Sequence, residues 1–268
     1  FLLLPASGWA GGQYSFGVLS QRSAVLTAQY WNPILDYVRR KTDVALILRI
    51  ARTAPESNEA IERGDYDFVY SNTIFLPRLQ PAGYRVVLKP RDEAIAGQIV
   101  VLEDSPVRAL ADLAGREVGF PSPVAFVGYA VPMNELQRRR IDVTPVFGGN
   151  QEGIMGQLAA GRVVAAGVNS QVMAAYAARN GLRYRVLWES PRYLNLPVSV
   201  HPRVPEAALA AVVAAIDGMH RDPEGLKILE ASARTVGQQA PYGFEKSTQE
   251  DYRNYVEFYK TTTVDGLR

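Results

Sequence analysis

Residues 112–132 read DLAGREVGFPSPVAFVGYAVP. The stretch contains the end of a helix at D-L-A-G, a short strand, and a polar loop that opens a new helix, expected over 125–140. Working outward, the same alternation continues on both sides. Upstream lie the strand IVVLED (99–104) and the helix RALADLAG (108–115). Downstream come VTPVFGG (143–149), a helix over 151–160, VVAAGVNS (163–170), a helix over 171–180 and YRVLWES (184–190). Strands alternating with helical periods predict α/β architecture with a largely parallel sheet.

An earlier block has the same form. YSFGVLS (14–20), VALILRI (44–50), DFVYSN (67–72) and YRVVLKP (84–90) read as strands. A helix is predicted from Ala24 to Lys41, where Tyr30, Ile34 and Val38 fall four apart beside Trp31 and Leu35, a core stripe. Another runs from Glu56 to Arg63 and is stopped by Gly64. After PVSVHP (197–202), helices over 206–219, 223–232 and about 248–260 are expected to return to this first block, with Tyr252, Tyr255, Tyr259 and Phe258 docking the last one. The blocks also echo one another: helix, Gly64, strand, Asn72 repeats as helix, Gly161, strand, Asn169. In open α/β sheets ligands bind beyond the carboxyl ends of strands, so two such lobes present polar strand tips across a cleft.

Composition narrows the function. The 268 residues carry 29 basic and 27 acidic side chains, a formal charge of +2 that argues against a nucleic-acid partner. The absence of cysteine excludes disulfides, thiolate metal sites and the acylated cysteine of a lipoprotein anchor. FLLLPASGWA (1–10) reads as the remnant of an export signal, which predicts a periplasmic, soluble protein. No G-x-S-x-G, P-loop, G-x-G-x-x-G or H-E-x-x-H pattern occurs, and His201 and His220 form no metal pair. Catalytic residues, metal and cofactor are therefore expected to be absent.

The segment 112–132, together with YDFVYSN (66–72), the run 147–170 and LPVSVHPRVP (196–205), resembles type II periplasmic solute-binding proteins, and within them the phosphate, phosphite and phosphonate (PhnD-like) binding family. The resemblance covers about residues 14–235. It implies two Rossmann-like lobes with a ligand cleft between them: lobe 1 from 11–96 plus 199–268, lobe 2 from 97–198, and hinge crossovers near 97–101 and 188–198. It further implies capture of a small oxyanion, closure of the hinge, and delivery to the membrane permease of an ABC transporter. A sensor kinase as partner, or an enzyme on the same architecture, are the alternatives. A monomer is expected.

Candidate ligand contacts follow from both readings. Ser20 and Gln21, with Arg22 beside them, come after the first strand. Tyr70, Ser71 and Asn72 end another and supply an aromatic wall with polar donors. Gln98 lies at the first crossover and Tyr193, beside Arg192, at the second; Asn150 and Asn169 end strands of lobe 2. Ser122, Ala125 and Phe126 occupy the loop that in the family holds the anion on hydroxyls and helix-start N–H groups. Here that loop retains one hydroxyl. Asn150 stands where the family often has histidine, and Gln171 where aminophosphonate binders have an acid. Those departures disfavour an aminoalkyl phosphonate, and the lack of cysteine excludes arsenite-type chemistry.

Overall fold

The computed structural model describes residues 12–267; the leading segment expected to be a signal remnant lies outside them. The chain opens with β1 (Gln13–Val18), α1 (Ala24–Thr42), β2 (Ala45–Ile50), α2 (Ala54–Glu62), β3 (Phe68–Tyr70) and β4 (Arg85–Pro90). A second series follows: β5 (Gly97–Leu102), β6 (Glu117–Phe120), a π-helical turn (Phe126–Ala130) continuing into α3 (Val131–Arg138), β7 (Thr144–Phe147), α4 (Gln151–Ala159), β8 (Ala166–Asn169), α5 (Ser170–Asn180) and β9 (Tyr184–Glu189). The chain then returns through β10 (Val198–Val200), α6 (Glu206–Gly218), α7 (Pro223–Val236), β11 (Phe244–Lys246) and α8 (Arg253–Thr261).

These strands form two sheets, ordered β11-β4-β10-β3-β1-β2 and β7-β6-β8-β5-β9. Apart from the edge strand β11, both follow one plan. Three parallel strands are joined by an antiparallel one at the crossover, β10 in the first sheet and β5 in the second, and a fourth strand closes the order. The sheets are therefore mixed rather than largely parallel, because each lobe must accept one strand running the other way. The Gly64/Asn72 and Gly161/Asn169 echo falls on β3 and β8, which occupy the same place in the two orders. Both glycines have positive φ, +71° and +67°, ending the preceding helix where a Cβ would be strained.

Local chemistry explains the principal helix. Ser23 caps α1 by accepting from the Leu26 N–H at 3.3 Å, and Arg39, Arg40 and Lys41 complement the dipole in its last turn. Its apolar stripe of Trp31, Ile34, Leu35 and Val38 is buried against the first sheet, as the periodicity predicts. Burying each such side chain contributes about 1.5–3 kcal/mol.

Close approach fixes the loop that faces the cleft. A Cβ on Gly97 would meet the Val127 carbonyl at 2.5 Å, and one on Gly167 would meet the Gly128 carbonyl at 2.6 Å. The π-helical turn thus lies directly over β5 and β8. Between the sheets the chain crosses twice, and the crossings pair through reciprocal Ile95 and Tyr193 backbone bonds of 2.8 Å.

α6 and α7 pack on α1, whereas α8 does not simply return to the first lobe. Phe126 of the second lobe stacks on Tyr255 at 4.2 Å and meets Tyr193, Phe258 and Tyr259 edge-on or tilted at 4.8–5.5 Å. Beyond α8, Thr262 and Thr263 donate to Asn134 Oδ1 on α3. One apolar cluster consequently runs from Val69 and Phe75 through Ile95 and Leu196 at the crossings to Phe126 and Leu136.

Candidate functional site

Strand tips from both lobes converge on a cleft with two adjoining compartments that share Leu19 and Gln21. The first, about 400 Å³ counting its mouth, is lined by Ser20, Gln21 and Asn72 from one lobe and by Ser122, Ala125, Phe126 and Asn150 from the other. It contains no charged side chain. Its polarity comes from two helix beginnings, at Phe126 and at α4, whose first N–H groups lack intrahelical partners and carry the positive end of the dipole. Ser122 is only 4% exposed, and Asn72 is 3% exposed with an amide oxygen that has no partner among the described residues. Val124 and Phe126 supply apolar wall. Such a compartment suits a compact group rich in acceptor oxygens with a small apolar substituent.

The second compartment, about 500 Å³ with its opening, is charged and aromatic: Arg22, Tyr30, Trp31, Tyr70 and Asp92 line it with Gln171, Asn195 and Gln238. Asp92 Oδ2 accepts from Gln171 at 2.9 Å, Asn195 at 2.9 Å and Gln238 at 3.1 Å. Those donors come from the second lobe, the return crossing and the segment after α7. Its other oxygen, Oδ1, is buried without a partner among the described residues. Burial raises the Asp92 carboxyl above its ordinary value against the opposing pull of those three amides. Arg22 makes no ion pair among the described residues, and its Nε is buried and unpartnered. Burial also draws its guanidinium below the usual range and pushes the Tyr30 and Tyr70 phenols upward.

The lobes touch across the cleft mouth. Glu152 on α4 accepts from the Ser23 N–H at 3.2 Å and from Arg179 at 2.5 Å, while Arg179 also reaches the Val236 carbonyl at 3.5 Å.

Seven of the twelve residues singled out in the sequence line the first compartment: Ser20, Gln21, Asn72, Ser122, Ala125, Phe126 and Asn150. Gln21 also lines the second, with Tyr70. Several have structural partners as well: Ser20 donates to the Ala51 carbonyl, and Asn150 caps α4 by accepting from Gly153 at 2.8 Å. Ser71, Gln98, Asn169 and Tyr193 line neither compartment. Ser71 is hydrogen-bonded to Thr73 at 2.7 Å; Asn169 caps α5; Gln98 donates to Glu189 at 2.6 Å beside a separate groove; Tyr193 packs on Phe126 and Tyr255. Asp92, Asn195 and Gln238 carry no motif. Asp92 was findable by the strand-tip rule, since it lies just past β4.

Comparison with known proteins follows the same lines. The family described as ABC transporter, phosphonate, periplasmic substrate-binding protein matches residues 16–252. A comparison with curated protein sequences finds no match. Among solved structures, the binding-protein component of an ABC phosphonate transporter from Pseudomonas aeruginosa superposes with a TM-score of 0.80 at 15% identity, covering 92% of this chain and 85% of that one. PhnD1 from Prochlorococcus marinus, in complex with methylphosphonate, gives 0.78 at 13% identity over 92% and 97% of the two chains. A protein from Xanthomonas citri bound to chloride ion gives 0.73 at 16% identity over 92% and 95%. At these identities the superpositions show the two-lobed type II fold.

Proposed function

The chain belongs to the family of periplasmic substrate-binding proteins of phosphonate ABC transporters, and we propose that its ligand is a small phosphorus oxyanion held on the Ser122–Phe126 loop. As a member of that family it binds a small solute and works with a membrane permease. No described helix is long and apolar enough to cross a membrane. The reading is of capture and release without chemistry, and a sensor-kinase partner gains no support from the family or its neighbours.

One observation carries the ligand reading: two helix beginnings and the hydroxyl of Ser122 face Asn72 across a compartment free of carboxylates. A tetrahedral oxyanion there accepts from fixed N–H donors that close around it from both lobes. With one hydroxyl in the loop, backbone donors and the amides of Gln21 and Asn72 supply most contacts. The apolar wall at Val124 and Phe126 favours an alkyl substituent over a fourth oxygen, and methylphosphonate is the ligand found in the Prochlorococcus marinus neighbour.

Thermal-shift titration with methylphosphonate, phosphite, phosphate and sulfate tests this. A ligand at 100 times its Kd stabilises the fold by about 2.7 kcal/mol. Methylphosphonate is expected to produce that shift, and Asn72→Ala to abolish it while the protein stays folded. The absence of a shift with every phosphorus oxyanion refutes the reading.

A further inference from the structure

We propose that the second compartment recognises a zwitterionic tail on the ligand, an ammonium and a carboxylate borne on one carbon, so that the full ligand is a phosphono amino acid; this rests on the oxyanion occupying the first compartment. Two groups that line this compartment are unsatisfied. Among the described residues, Arg22 Nε is a buried donor without an acceptor, and Asp92 Oδ1 is a buried acceptor without a donor. Both line one cavity. No ion pair within 4.0 Å joins them, so the space between them separates opposite charges that do not neutralise one another directly.

A buried polar atom left without a hydrogen-bonded partner is costly, and a ligand that supplies the partner removes the cost. The guanidinium is a planar fork matched to a carboxylate. The free Asp92 oxygen takes an N–H donor, so Asp92 supplies the acid whose loss at Gln171 argued from sequence against an amine, and Gln171, Asn195 and Gln238 occupy its other oxygen. Tyr30 and Tyr70 hydroxyls, which make no hydrogen bond among the described residues, and the Trp31 ring complete a cage suited to an ammonium. An amine alone leaves Arg22 unmatched, and a carboxylate alone leaves Asp92 unmatched. A group carrying both satisfies each, with the chain passing Gln21 to reach the oxyanion site.

The test is isothermal titration of the purified protein with methylphosphonate, 3-phosphonopropionate, 2-aminoethylphosphonate, and the 2-amino-phosphonocarboxylates with one and two methylenes between phosphorus and the amino carbon. One of the last two is expected to bind at least tenfold tighter than the other three compounds. Arg22→Gln is expected to lower the ratio of its affinity to that of 2-aminoethylphosphonate to near one, and Asp92→Asn to do the same against 3-phosphonopropionate. Unliganded melting curves identify a variant that fails to fold, in which case Arg22→Lys, which keeps the charge without the fork, replaces it. If methylphosphonate binds but no tailed compound binds more tightly, the tail assignment is overturned and the oxyanion site stands. If 2-aminoethylphosphonate alone captures the whole gain, the role of Arg22 is overturned. If none of the compounds binds, the oxyanion reading itself has failed.

Discussion

Replacing Phe126 by alanine removes the ring that joins the second lobe to α8. The side chain is 2% exposed and packs against four other rings, the nearest stacked at 4.2 Å. Truncating a buried phenylalanine costs about 3–5 kcal/mol, from lost transfer energy and the cavity left behind. The neighbours belong to a helix and a crossing with restricted freedom to collapse, so the cost is expected near the middle of that range, about 4 kcal/mol. At about 2–4 °C per kcal/mol for a protein somewhat smaller than this one, the midpoint falls by roughly 8–16 °C. Urea denaturation of the unliganded protein measures the loss, and a double-mutant cycle with Tyr255→Leu isolates the stacked pair, expected to couple by about 0.5–1.5 kcal/mol. A loss below about 1.5 kcal/mol, or no coupling, refutes the claim that this cluster ties α8 to the second lobe.

Two further outcomes follow from the charged groups. Because burial raises the Asp92 carboxyl, the folded state retains a proton that the unfolded chain releases; the corresponding stability is fully present below the ordinary value of 3.8 and is lost as pH rises through the native one. Asp92→Asn is expected to flatten that part of the stability profile measured by urea midpoints between about pH 3.5 and 7, and a profile parallel to the unmodified protein's contradicts the assignment. Glu152→Gln weakens the contact with Ser23 across the mouth and the pair with Arg179 inside the second lobe. It is expected to enlarge the unliganded radius of gyration in small-angle scattering and lower methylphosphonate affinity several-fold, since closure is then opposed by a lost charge-assisted bond; unchanged scattering and affinity would show that the mouth contacts do not bias closure.

The architecture was legible because its signal is repeated. Each strand of the two parallel sets carries its own apolar run and its own punctuating glycine or proline, so errors at single boundaries do not accumulate. Helix α2 starts at Ala54 rather than Glu56, capped by Thr53, and α7 extends to Val236 rather than 232 without altering the plan. β11 escaped notice because Phe244–Lys246 is three residues long and exists only by pairing with β4. The first compartment was legible for the same reason as the fold, since strand tips are marked by sequence order. Asn195 and Gln238 were not, because they reach Asp92 only once the chain has come back from the second lobe. The helical stripe assigns Trp31 and Tyr30 to the core, and Trp31 does pack on Phe16 and Phe244, yet both residues also line the cavity. A periodic stripe cannot say which of its edges a distant segment leaves uncovered.

The bonds from Thr262 and Thr263 to Asn134 bear on how the molecule moves. Two covalent crossings alone would let one lobe swivel as well as tilt. A third attachment, made by the tail after α8, stiffens the swivel and leaves bending as the easy direction. The permease would then meet a pair of surfaces travelling along one arc, and the difference between empty and loaded becomes an angle rather than a distribution of poses.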